Sequence, residues 1–328
     1  MKLGRGAARF LAVVQTKDEL EQAISWAQAD NIPVFILGDG SNVIISDNDF
    51  EGLVIINRLS GFKILEQTEA HVDLLVGAGE NWDSVVERAV EMNLSGIEAM
   101  SRIPGTAGAT PVQNVGAYGQ EIADTLQSLE AYDLTAHGNV RLMASECGFS
   151  YRFSIFKNPG QRRYVITSIT LRLSRSNPRG PYYNSLQNHF DERGISQQEV
   201  TPQLIRQAVT DIRSVKLPDP KIMANTGSFF KNPMVDSKKF TGLAAAFPDI
   251  VHYKLPDGKI KLAAGWLIER AGLKGYGGGG LKTFEHNALV IVNQTAKTYD
   301  ELKTFSDHII ETVRRKFGVT LEREPELL

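Results

Sequence analysis

The chain holds a single cysteine, Cys147, in 328 residues. One thiol cannot close an intrachain disulfide or build a cysteine metal cluster, so a disulfide-stapled scaffold and a zinc-thiolate centre are both excluded. Cys147 reads as a small buried hydrophobe. A basic excess is also missing: 36 Lys and Arg against 38 Asp and Glu leave a net charge of -2. Such a surface lacks the charge that binds phosphate backbones irrespective of sequence, and nucleic acid is not an expected partner. No run reaches the roughly 18 apolar residues that crossing a bilayer demands. The opening MKLGRGAARF leads into the mixed stretch LAVVQTKDELEQ rather than the apolar core of a signal peptide. A cytoplasmic protein without a membrane partner is the expectation. The six histidines show no metal-ligand spacing, and no Ser-His-Asp or Cys-His arrangement can be assembled from spacing. No metal is expected.

What the chain does contain is an apolar content of 42%, enough for the two or three packed domains that this length favours. The first sixty residues alternate strand and helix. An apolar stretch at Phe10–Val14 is followed by Thr16 as the cap of a helix through Ala29, the strands Val34–Leu37 and Val43–Ile45, and Leu53–Ile56. Strands then dominate, at His71–Val76, Ser128–Leu134, Val140–Ala144 and Tyr164–Leu173, with one amphipathic helix at Trp82–Met92. Residues 101–119 are rich in Gly and Pro and read as loop, and 174–196, with Asn177, Pro178, Gly180 and Pro181, as a connection with turn chemistry. Thr201 with Pro202 opens a helix with apolar residues at 204, 205, 208, 209 and 212, and further helices are expected at Ala263–Ala271 and Lys297–Phe317.

Two glycine-bearing loops invite chemistry: Leu37-Gly38-Asp39-Gly40-Ser41-Asn42-Val43 after a strand, and Ile103–Gly119. Glycines let backbone N–H groups approach an anion closely, and Ser and Asn add donors, which suits a pyrophosphate. The second loop holds four glycines and two prolines with little polar material, which suits contact with a flat ring rather than solvent. The dinucleotide fingerprint G-x-G-x-x-G is not satisfied at Gly38, which disfavours a Rossmann cofactor domain.

Six motifs, GDGSNV, IPGTAGATPVQNVGAYG, YRFSIFK, KLPDP, GSFFKNP and LAAGWLIERAG, occur in that order. In this the chain resembles the UDP-N-acetylenolpyruvoylglucosamine reductases (UDP-N-acetylmuramate dehydrogenases) of bacterial cell-wall synthesis, in their type I-like subclass. The resemblance implies an α+β protein: a two-part FAD-binding fold of the vanillyl-alcohol-oxidase type plus a C-terminal α/β substrate-binding domain. It divides the chain into FAD subdomains at 1–62 and 63–200, with a mobile connection at 176–200, a substrate domain at 201–318, and a tail at 319–328 returning to the active site. It implies FAD as resident cofactor, NADPH as reductant and UDP-N-acetylenolpyruvoylglucosamine as substrate. The sequence is compatible with a monomer.

By the same resemblance the flavin is held by Leu37, Gly38, Gly40, Ser41 and Asn42 from the first loop. From the second come Ile103, Pro104, Gly105, Gly108, Ala109, Pro111, Gln113, Asn114, Gly116, Ala117, Tyr118 and Gly119. Reduction of an enol ether needs its carboxylate polarised by cations, and a proton must reach the adjacent carbon. Arg152, in YRFSIFK beside Tyr151, matches the arginine that binds the carboxylate; Ser228 matches the proton donor, with Phe229 and Phe230 expected to exclude solvent from it. Glu324 is placed as the third catalytic residue, with Glu322 and Glu326 as rivals. Tyr183 matches a tyrosine on a loop that closes over the UDP diphosphate, with Tyr182 as the alternative, and Arg213, Lys216 and Asn232 are placed as further substrate contacts.

Overall fold

Period-2 alternation shapes the start of the fold: strand β1 (Ala8–Val14) alternates half-buried with exposed side chains until Val14. Thr16 then opens helix α1 (Lys17–Ala29) through a reciprocal cap, its hydroxyl accepting from Glu19 N while Glu19 reaches back to the Thr16 amide. The computed structural model describes residues 1, 3–157, 163–220, 222–255 and 257–328. Its backbone falls into two units, one of Ala8–Ser41 with Glu51–Arg213, the other of Met1–Ala7 and Asn42–Phe50 with Ser214–Leu328.

In the first unit β2 (Val34–Leu37) runs parallel to β4 (Phe50–Asn57), giving the order β1-β4-β2. Between them lies β3 (Val43–Ile44), which belongs to the other unit. A five-stranded antiparallel sheet follows, built from β5 (Phe62–Gln67), β6 (His71–Gly77), β9 (Leu126–Asp133), β10 (Gly138–Met143) and β11 (Tyr164–Ser174) in the order β10-β9-β11-β6-β5. Helix α2 (Trp82–Glu91), capped by Asn81, and the hairpin of β7 (Gly116–Ala117) and β8 (Gln120–Glu121) interrupt it in sequence. The central strand β11 is buried nearly end to end because both faces are covered. Ile166, Ile169 and Leu171 share a core with Val72, Leu74, Val76, Trp82 and Val86, while Val165 joins Leu20, Ile24 and Leu59 on the opposite side.

A charged tie closes one end of that sheet. The Asp133 carboxylate accepts from Arg163 Nε at 2.8 Å and from the amides of Thr135 at 2.9 Å and Ala136 at 3.1 Å. The Arg163 hydrogen bonds, opposed in part by desolvation, hold its carboxyl well below the usual carboxylate range. A depressed native pKa contributes stability that is complete above the unfolded value near 4 and is lost as pH falls toward the native one. Asp133→Asn is therefore expected to cost about 1 to 3 kcal/mol near neutral pH, the range for hydrogen bonds to a charged group whose partner is partly exposed. Thermal unfolding of both proteins at pH 7 and pH 3 checks this: the gap must narrow at pH 3, and an equal gap at both pH values would refute the linkage.

The connection read from sequence as turn chemistry contains a helix, α3 (Asn184–Asp191). Its Leu186 and Phe190 pack with Ile205, Ala208 and Val209 of α4 (Pro202–Lys216) and with Ala99. Buried Phe190 and Leu186 overrode the local Pro and Gly signals. Arg206 of α4 donates to Asp83 at 2.6 Å and Glu87 at 3.1 Å on α2.

In the second unit β12 (Met234–Val235), β13 (His252–Lys254) and β14 (Ile260–Leu262) form the sheet β12-β14-β13, with α5 (Ser237–Ala246) capped by Asp236. Helix α6 (Ala264–Arg270) precedes a second small sheet of β15 (Gly277–Gly278), β16 (Leu281–Thr283) and β17 (Ile291–Asn293). Helix α7 (Tyr299–Phe317) begins at a Thr298–Glu301 capping box and ends at Gly318 in the left-handed conformation. Its Leu302, Phe305, Ile309 and Val313 share one core with Leu262, Leu267, Ile268, Phe229 and Phe230. The last strand, β18 (Glu326–Leu327), pairs in parallel with β3. That pairing groups 42–50 with the C-terminal residues, so the stretch 1–62, read as one subdomain, is shared between the two units.

Candidate active site

Leu37 ends β2, and the chain turns through Gly38, Asp39 and Gly40. A Cβ at Gly38 would lie 2.5 Å from Thr106 Oγ1, so this turn touches the second loop only because position 38 has no side chain. Ser41 Oγ donates to the Pro104 carbonyl at 3.2 Å, and Arg58 donates to the Gly38 carbonyl at 3.3 Å while pairing with Asp39 at 3.1 Å. The two glycine loops, sixty-odd positions apart in the chain, are thus brought together. Asn42 turns away into the other unit, where its carbonyl accepts from Glu326 N at 3.0 Å.

The second loop is hung on a segment that sequence reasoning passed over. Ala107 N donates to the Glu80 carbonyl at 2.8 Å, Gly108 N to Ala78 at 2.9 Å, and Trp82 N to Gly105 at 3.0 Å. A Cβ on Gly108 would come within 2.5 Å of the Ala78 Cβ. The signal available was the Gly77-Ala78-Gly79 run after a strand, which reads as a site of close backbone approach. Residues 103–119 carry no charged side chain. A shape-fixed, neutral, glycine-lined loop with its amides held in place fits a flat ring with attached phosphates.

Individual side chains in the loop divide the work. Asn114 is buried in a left-handed conformation (φ 47°), and its amide is spent within the protein: Nδ2 donates to Glu121 at 2.7 Å and to the Ser150 carbonyl at 3.2 Å, and Oδ1 accepts from Ala123 N at 3.1 Å. It shapes the loop. Gln113 accepts from Lys157 Nζ at 3.1 Å. Tyr118 and Gly119, at φ 49° and 90°, make the tight turn between β7 and β8.

Arg152 lies against this hairpin. It too holds a left-handed backbone (φ 53°), and its Nη2 donates to the Gly116 carbonyl at 2.8 Å while the guanidinium lies 5.2 Å from the Tyr151 ring centroid. A long side chain in that conformation is uncommon, and the surrounding contacts must hold its backbone strain in place. Tyr183, 38% exposed, meets Tyr118 edge-on at 5.9 Å between ring centroids. Tyr182 instead packs on Phe190 at 5.4 Å and donates its hydroxyl to the Pro178 carbonyl at 3.0 Å. Arg213 donates to the Arg102 carbonyl at 3.1 Å and faces Tyr118, whose phenol burial pushes up and Arg213 pulls back. Tyr118, Tyr183 and Arg213 therefore form one cluster beside the hairpin.

In the second unit the segment 228–231 is clamped from two sides. Ser228 bridges Val290, Phe229 N donates to the Leu289 carbonyl at 2.7 Å, Lys231 N to Glu322 at 2.9 Å, and Glu324 N to Phe229 at 2.9 Å. The backbones of Ser228 and Glu324 are neighbours as a result. Arg323 bonds Ser306 at 2.9 Å and pairs with Asp307, pinning the tail to α7. The rival Glu322 pairs with Lys231 at 3.1 Å, and Glu326 lies in β18. Phe229 and Phe230 do not cover Ser228 as expected: both rings lie in the core, 5.1 Å apart edge-on, and Ser228 is exposed. Core packing of two adjacent aromatics outweighs any cover they would give a surface hydroxyl. Asn232 accepts from Ala264 N at 2.9 Å at the start of α6, and Lys216 ends α4 exposed. A residue missed from sequence is buried Asn225, which donates to the Pro218 carbonyl at 3.2 Å and accepts from Gly227 N at 2.8 Å, tying KLPDP to the Ser228 turn.

Residues 219–328 match the family model described as the C-terminal domain of UDP-N-acetylenolpyruvoylglucosamine reductase, and residues 8–142 match an FAD binding domain. The UDP-N-acetylenolpyruvoylglucosamine reductase of Burkholderia cenocepacia (strain HI2424) is 39% identical over 321 residues, 98% of this chain and 92% of that one. That of Ralstonia nicotianae is 40% identical over 326 residues, covering 98% and 94%. The chain belongs to the UDP-N-acetylenolpyruvoylglucosamine reductase family. Among solved structures, the reductase of this name from Thermus caldophilus is 24% identical and superimposes with a TM-score of 0.64 over 96% of this chain and 90% of that one. 6-Hydroxy-D-nicotine oxidase from Arthrobacter nicotinovorans, 12% identical, gives 0.54 over 98% and 83%. The chain is thus an FAD-dependent oxidoreductase, with the expected α+β, two-part flavin fold and C-terminal domain.

Proposed function

We propose that the enzyme reduces UDP-N-acetylenolpyruvoylglucosamine to UDP-N-acetylmuramate in peptidoglycan precursor synthesis, with NADPH as reductant and FAD as carrier. The observation that carries the reading is the meeting of the two glycine loops, the second of which also holds Arg152 through Gly116, in a chain whose C-terminal residues match the C-terminal domain of UDP-N-acetylenolpyruvoylglucosamine reductase. A bound flavin supplies the hydride. The protein supplies the rest. Arg152, oriented by the Gly116 carbonyl, presents a planar donor pair to the substrate carboxylate and stabilises the charge that develops there. Ser228 gives the proton to the adjacent carbon, and Glu324, set beside it by the backbone ladder, completes the set. No described helix is long and apolar enough to cross a membrane, and we place the enzyme in the cytoplasm. The absorption spectrum tests the whole reading: flavin bands must bleach with NADPH and return under anaerobic conditions only on adding the enolpyruvyl substrate. Return with a small alcohol- or amine-derived acceptor instead would reject the substrate class.

Diphosphate recognition falls to Tyr183, Arg213, Lys216 and Asn232. Support for Tyr183 over Tyr182 comes from their places: Tyr183 lies against Tyr118 of the second glycine loop, whereas Tyr182 packs on Phe190 away from that contact. Tyr183→Phe is expected to weaken UDP-sugar binding by about 1 to 3 kcal/mol, the range for a hydrogen bond to a charged group. NADPH oxidation in the first half-reaction stays unchanged. Titration of UDP-sugar against flavin absorbance measures the loss, and an unaltered affinity in Tyr183→Phe with a loss in Tyr182→Phe would move the role one residue back.

A further inference from the structure

Glu98 is a buried acid that the chemistry above does not use, 1% exposed on a short turn between Gly96 and the second glycine loop. Its Oε2 accepts from Gly96 N at 2.5 Å and its Oε1 from Gln120 Nε2 at 3.0 Å. Gln120 answers across the same gap, its Oε1 accepting from Ala99 N at 2.8 Å. Ser101 Oγ adds a bond to the Glu98 carbonyl at 2.6 Å. The two side chains therefore close residues 99–119 at the base, with each polar atom of the pair matched donor to acceptor. The closure reaches further through the hairpin, where Gln120 opposes Ala117 and the adjacent Gly116 carbonyl orients Arg152. Burying a carboxyl is costly unless its bonds are all made, so the partners that satisfy Glu98 are held in one geometry.

We propose that Glu98 and Gln120 are positioning residues: a reciprocal clasp that fixes the loop 101–119 and, through the β7–β8 hairpin, the guanidinium of Arg152. The clasp is read from hydrogen bonds alone; its effect on flavin rests on the function proposed above. Complementarity makes it testable. In Glu98→Gln the new amide keeps the Gly96 bond through its oxygen but turns an NH2 toward the NH2 of Gln120, and rotating Gln120 only moves the conflict to Ala99 N. In Gln120→Glu a carboxylate faces a carboxylate. In the double variant Glu98→Gln/Gln120→Glu every bond is restored with donor and acceptor exchanged.

Amide hydrogen exchange of the holoenzyme, read over 101–119 with β9 and β11 as internal reference, and the rate of FAD release are measured for the four proteins. Each single variant is expected to exchange about tenfold faster or more in the loop alone, the scale of one buried polar group left unsatisfied, and to release FAD faster by a similar factor. The double variant returns to within about threefold of the parent on both readouts, a rescue that a general loss of stability would not show. Unchanged loop exchange in both single variants, or a double variant as mobile as the worse single one, overturns the clasp. Faster loop exchange with unchanged FAD release keeps the clasp and instead removes the flavin from this loop.

Discussion

Ser228→Ala is expected to accept hydride from NADPH at the parent rate and to pass it to substrate about 10² to 10⁴ times more slowly, the usual contribution of a positioned general acid. The structure makes this a clean substitution. Ser228 is exposed, and the clamp around it is made by backbone groups, with its bridge to Val290 and the bonds of Phe229, Lys231 and Glu324 all independent of the hydroxyl. Alanine therefore removes a proton donor without disturbing Glu324 or the core under Phe229 and Phe230. A serine hydroxyl is a weak acid in water, so the transfer must be favoured by where it is held and by the charge that develops on the substrate. Stopped-flow absorbance separates the two half-reactions. Equal slowing of both would show that Ser228 supports the flavin site rather than protonation.

Much of the first unit was legible because its signals are local and agree with one another. The Thr16–Glu19 capping box, the alternation of His71–Val76 and the Thr201-Pro202 helix start each specify an element within a few residues, and each element is found where these signals lie. The second unit was harder. Its strands are two or three residues long, too short for period 2 to show, and α5 carries only Leu243 as a fully buried side chain. Helix α3 was hidden by neighbouring turn residues because its stability comes from Ala99 and α4, not from its own propensity. The division of 1–62 between two units depends on a strand pair joining residues 43–44 to 326–327, a contact with no local signature at either end.

The site shows the same contrast. Glycine loops announce close backbone approach, and these two meet through Gly38, Thr106, Ser41 and Pro104. What sequence could not reveal is which polar side chains face inward to hold those loops. Asn114 reads like a ligand donor, and its side-chain amide is engaged by Glu121, Ser150 and Ala123, whereas Glu98, Gln120 and Asn225 lie in no motif and are structural ties. Donors and acceptors are assigned only once the chain is folded around them.

Arg152→Lys is expected to slow reoxidation of the flavin by substrate by an order of magnitude or more, about 3 kcal/mol, the cost of losing one oriented donor at a site of developing charge. Lysine keeps the positive charge and, being unbranched at Cβ, meets the same backbone strain at φ 53° that arginine already bears. The change therefore isolates geometry from charge. What is lost is a planar fork, one arm of which is anchored to the Gly116 carbonyl at 2.8 Å while its face lies near Tyr151. An ammonium group that has made that anchor keeps two N–H donors, but they diverge from a single tetrahedral nitrogen and cannot meet both carboxylate oxygens side by side, so it sits as an unaligned point charge. The step that fails should be the one in which charge builds on the substrate carboxylate, leaving reduction by NADPH near its parent rate. Single-turnover reoxidation of the NADPH-reduced enzyme at saturating substrate is the measurement. A rate within about threefold of the parent would mean that charge alone suffices, and would sink the assignment of Arg152 as the paired donor to the carboxylate.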